Sequence, residues 1–118
     1  MSAPYSNFPA VEAALAALEA NRTPEANTLR NAVRALLTAL AKAVPGRTVE
    51  VRVPPYGAVQ CVAGPRHTRG TPPNVVEMDP VTWILLATGR LSWSTGVESG
   101  RIRASGHRSD ISRFLPVR

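Results

Sequence analysis

The chain has 118 residues, 44% of them hydrophobic, which makes it one globular domain able to bury about two-thirds of its unfolded surface around a single core. Its net charge of +6 comes from thirteen arginines and Lys42 against eight acids, and it is uneven: residues 1–46 carry four basic and three acidic groups, residues 47–118 ten and five. Cys61 is the only cysteine, which excludes an intrachain disulfide and fits a reducing compartment.

In chain order, residues 1–8 read as a loose arm with neither a basic nor an apolar signal region. The longest strongly apolar run, Trp83 to Ala87, falls far below the roughly 18 residues of a membrane span. The expected location is therefore cytoplasmic. From Pro9 to about Ala20, Val11, Leu15 and Leu18 fall on one helical face. Asn21 and Arg22 end that helix, and Thr23 is the expected cap of the next, with Pro24 and Glu25 in its first turn. Leu29, Val33, Leu36, Leu37, Leu40 and Val44 then form a stripe that stops at Pro45-Gly46. The short link favours an antiparallel pair covering one side of a sheet.

Val49, Val51 and Val53 alternate with Glu50 and Arg52, the pattern of a half-buried first strand. Pro54-Pro55-Tyr56-Gly57 turns the chain, and Ala58 to Ala63 returns it as a second strand that is more apolar throughout. Gly64 to Pro73 is a ten-residue connection, against a median of about 4 to 6. Arg66, His67, Thr68, Arg69 and Thr71 lie in it. Asn74 to Met78 is the third expected strand. Asp79 can cap a helix beginning at Pro80, and that helix is apolar almost all round: Val81, Trp83, Ile84, Leu85, Leu86, Ala87. Gly89 closes it. Ser92 caps a shorter helix carrying Trp93 and Val97, and Gly100 ends it. Arg101 to Ser105 alternates as a strand does, and a short segment runs from Ser109 to Leu115.

The succession Asp79, Gly89, Ser99-Gly100, Ile102 and Gly106 resembles the C-terminal half of the sterol carrier protein family. In that family an acidic residue opens a helix ending in Gly, a second helix ends in a pair such as Ser-Gly, and a basic strand of the form Gly-x-Ile-x-Ala-x-Gly precedes a last helix. The resemblance covers roughly the last 75 residues closely and the earlier ones in element order. It implies an α+β fold, a mostly antiparallel curved sheet of about five strands with helices on one face around an apolar tunnel, here preceded by an N-terminal helix pair. The whole chain, 1–118, reads as one such domain, with residues 1–46 as arm and helix pair and 47–118 as sheet and C-terminal helices.

The resemblance also implies a non-catalytic carrier for fatty acyl or sterol-like ligands. Candidate lining residues are Val76, Met78, Trp83, Leu86, Trp93, Val97, Ile111 and Phe114. An apolar helix is more often core than lumen, and the sequence leaves open whether Trp83 and Trp93 line a cavity or fill it. Arg66, His67 and Arg69 are candidates for an anionic head group, since guanidinium forks suit carboxylate and phosphate. The alternative is a solvated loop stiffened by Pro65, Pro72 and Pro73. A similar module completes the site of mycothiol-dependent maleylpyruvate isomerases, so an accessory domain serving a partner enzyme is the second reading. Weak nucleic-acid binding is the third, resting on charge alone, because six aromatics are not interleaved with the arginines. No catalytic residues, cofactor or metal are expected. A lone cysteine in an apolar strand is usually a small buried hydrophobe, and His67 and His107 show no ligand spacing. The oligomeric state is open, a dimer included.

Overall fold

The structure is a computed structural model that describes residues 5–64 and 73–118. Helix α1, Pro9–Glu19, starts on a proline at its first position, where the missing N–H costs nothing. It buries Val11, Ala14, Leu15 and Ala17. Asn21, at φ 57, takes the left-handed conformation that asparagine tolerates. Helix α2, Ala26–Ala43, starts later than its sequence suggests. Glu25, in extended backbone at φ −60 and ψ 152, occupies the cap position without a side-chain hydrogen bond, so Thr23 is not the cap. The buried stripe is Ala32, Val33, Leu36, Leu37 and Leu40, and α1 packs along it.

Among the described residues four strands follow, against the five expected: β1 Val49–Val53, β2 Gly57–Cys61, β3 Asn74–Glu77 and β4 Arg103–Ser105, in the order β2-β1-β3-β4. β1 is antiparallel to β2 but parallel to β3, and β3 is antiparallel to β4. A parallel neighbour normally requires a long crossover. Here β2 has already returned the chain to the start of β1, where Val49 pairs with Cys61 on one side and Asn74 on the other, so the chain need not travel the length of the sheet again before β3. The last strand is short because Ile102 donates its N–H to the Gly96 carbonyl at 3.0 Å, tying Arg101-Ile102 to the preceding helix instead of to β3. The apolar β2 is an exposed edge, with only Cys61 buried.

Side chains alternate as strand geometry requires. Val49, Val51, Val53 and Val76 face the helices in one buried cluster. Glu50, Arg52 and Glu77 point to the other face, where Arg52 pairs with Glu50 and Arg103 with Glu77. Helix α3, Pro80–Ala87, is capped by Asp79, whose carboxylate accepts the Thr82 N–H at 2.8 Å. Helix α4, Trp93–Glu98, is capped by Ser92, which accepts the Thr95 N–H at 3.1 Å. The C-terminal segment contains one 3-10 turn, Ser112–Phe114, in place of a last helix. Among the described residues no helix is long and apolar enough to cross a membrane.

Candidate functional site

Five of the eight expected lining residues sit in closed core. Val76, Trp83 and Ile111 are 0% exposed, and Met78 and Leu86 are 2% exposed. Trp83 packs as a core side chain. Its ring is wholly buried and its Nε1 donates to the Val33 carbonyl at 3.3 Å, so the indole bolts α3 to α2. Trp93 and Phe114 are half-buried at the margin of that core, and Val97 is 40% exposed.

Open apolar space lies at the other end of α3. A cavity of about 200 Å³ is bounded by Leu86 and Gly89, by Leu91, Ser92 and Trp93 at the start of α4, and by Ser112, Leu115 and Pro116 of the C-terminal segment. The structure thus brings together Leu86 and Trp93 of the expected lining, with Ile111 and Phe114 next to or near Ser112 in the chain. Leu91, Leu115 and Pro116 complete it. Sequence reading misses Leu91 because it sits in the short link between α3 and α4, and it misses Leu115 and Pro116 because their segment has no helical or strand period and docks on α3 through long-range bonds. Val117 donates its N–H to the Ala87 carbonyl at 2.7 Å, and Tyr5 donates its hydroxyl to the Val117 carbonyl at 2.8 Å. Gly89 turns the chain here with φ 82, and it lies against Pro116, where an added Cβ would make ordinary contact at 3.5 Å. The cavity is mostly apolar, with the Ser92 and Ser112 side chains as its polar groups. Ser92 Oγ is already used as the α4 cap.

Several C-terminal arginines are engaged within the fold. Arg101 Nε donates to Thr82 Oγ1 at 3.1 Å, and the Arg113 guanidinium lies 4.7 Å over the Phe114 ring. Arg103 holds Glu77, and Arg90 approaches Glu19 at 3.5 Å. They do not form one free basic stripe.

Arg66, His67 and Arg69 lie outside the described residues. Both roots of their segment are firmly held. Val62 takes φ 69, a rare conformation for a β-branched residue. It is fixed there by its N–H on the Val44 carbonyl at 2.9 Å and its carbonyl on the Thr48 N–H at 3.1 Å. Asn74, at the other root, donates Nδ2 to the Thr48 carbonyl and accepts the Arg108 N–H at Oδ1, both at 2.9 Å. Cys61, beside Val62, is fully buried, and burial pushes its thiol up to about 11. It is therefore a protonated thiol near neutrality, not a thiolate. Among the described residues no group of three or more His, Cys, Asp or Glu side chains is arranged to hold a metal ion.

No curated protein matches the chain. A family model described as Bacterial SCP ortholog matches residues 25–117, from the start of α2 through both walls of the cavity. With most of its length matched, including the whole sheet and α3, the chain belongs to this sterol-carrier-like bacterial family.

Proposed function

We propose that the chain is a non-catalytic binding or carrier module for an apolar or amphipathic anionic small molecule, such as a lipid, fatty acyl or sterol-like compound. The cavity beside Trp93 receives the apolar part. The observation that carries this reading is the cavity's lining: Leu91, Trp93, Leu115 and Pro116 turn apolar surface toward open space, with the buried Leu86 at its floor. Family membership supports a carrier-type module. Its volume of about 200 Å³ is below the roughly 300–1,000 Å³ of sites that enclose a whole small ligand. One end of the ligand enters, and the rest lies along the rim. Arg90 and Arg113 adjoin lining residues in the chain and supply positive charge there. Arg66, His67 and Arg69 are the further candidates for the anionic head.

Trp93 reports directly on this site, whereas Trp83 is sealed in the core. Titration with fatty acids of several chain lengths and with a sterol sulfate should give a saturable change in tryptophan emission. The expected Kd is micromolar, equivalent to about −8 kcal/mol. Trp93→Phe, which keeps Trp83, should lose the signal. Absence of saturable change with every chain length and ring system removes the reading.

A further inference from the structure

We propose a second binding site, on the outer face of α2, that takes a long-chain carboxylate. A groove of about 440 Å³ runs there between Phe8 and the helix, lined by Arg34, Ala35, Thr38, Ala39 and Lys42. That volume falls within the range of small-molecule sites, which the Trp93 cavity does not reach. The groove follows from residue spacing. Ala35 and Ala39 are four apart, so two short side chains stack on one face and leave a trough. Arg34, Thr38 and Lys42 form the adjoining row. Eight residues of helix separate the two cations by about 12 Å along the axis.

Charge selects the occupant. Helix α2 carries Arg30, Arg34 and Lys42 and no Asp or Glu, so its side chains sum to +3. Among the described residues none of the three cations has a carboxylate partner, since the ion pairs formed are Arg52–Glu50, Arg90–Glu19 and Arg103–Glu77. Arg34 Nε donates to the Tyr56 carbonyl at 2.9 Å, which orients the guanidinium beside the groove. Lys42, in the last turn, also complements the helix dipole. Arg34 lies more than two turns from that end, where this role lapses. An apolar trough with an aromatic wall and two cations along its edge suits an alkyl chain with one anionic head. The ligand class rests on the proposed function; the location rests on the groove itself.

The test is amide mapping by ¹H–¹⁵N NMR of the whole chain with decanoate and, separately, decanol. Decanoate should shift the amides of Phe8, Ala35, Ala39 and Lys42 saturably, and decanol should bind there about three- to ten-fold more weakly. Lys42→Gln should weaken decanoate several-fold and leave decanol unchanged. Arg34→Gln serves as a second variant, although it also loses the Tyr56 bond. Raising salt should weaken the acid alone, because the cations are exposed. Shifts confined to the Leu86–Pro116 lining overturn the groove while leaving the Trp93 site standing. Shifts in the groove without any at that lining do the reverse. Equal losses for acid and alcohol in Lys42→Gln overturn charge recognition.

Discussion

Cys61 gives the clearest case of a side chain whose chemistry is set by its place rather than its type. Buried on β2 against the helices, its thiol is raised to about 11 by burial, while an unfolded chain holds it near the ordinary value of about 8.5. A raised acid favours its protonated form in the fold. Its contribution to stability is therefore fully present below about 8.5 and is lost as pH climbs toward 11. Urea unfolding across that window should show stability falling more steeply for the natural chain than for Cys61→Val, by at most about 1.4 kcal/mol per pH unit. Tyr5 is also raised by burial, so the comparison must be between those two chains. Identical slopes would place the thiol in contact with water. That Cys61 is a core residue was legible, because alternation puts it on the same face as Val59. The bolt formed by Trp83 was not, since Nε1 finds its acceptor fifty residues away on α2.

Element boundaries were legible wherever the signal is local. Asp79 and Ser92 cap α3 and α4, and Gly89 and Gly100 follow those helices with positive φ, as a four-residue window suffices to specify. The start of α2, the parallel β1–β3 pair and the exposure of β2 were not legible, because each is decided by what lies beside the element. Two glycines separate local from tertiary demand. Gly100 has φ 79, and a Cβ there would have nothing within 4 Å, whereas at Gly106, φ 102, a Cβ would meet Asn74 Oδ1 at 2.3 Å and the Pro73 carbonyl at 2.4 Å. Gly100→Ala should cost about 1–2 kcal/mol for the backbone alone. Gly106→Ala should cost at least about 1 kcal/mol more, because it also disturbs the Asn74 bonds to Thr48 and Arg108. Thermal or urea unfolding of both variants measures the difference, and equal costs would mean that Asn74 is free to move.

At the scale of the whole molecule, among the described residues, helices pack over a four-stranded sheet, and two open apolar recesses lie at the margins of that packing. The order of Asp79, Gly89, Ser92 and Gly100 matches the bounds of α3 and α4, but volume is a property of packing and was beyond sequence reading. Trp83 is a core side chain, wholly buried between α3 and α2. The C-terminal segment, latched by Tyr5 and Ala87, leaves the recess beside Trp93. Loss of the latch should therefore loosen one wall of that recess without unfolding the sheet, since Tyr5 meets the segment by one good hydrogen bond, worth about 1 kcal/mol. Native mass spectrometry of the chain, titrated with a panel of alkanoates, alcohols and a sterol sulfate, tests the carrier reading most directly. A saturable small-molecule adduct at micromolar concentration, weakened in Trp93→Ala, is the expected result. The bare chain in every spectrum, under conditions that preserve the adducts of a known fatty-acid binder, would contradict it.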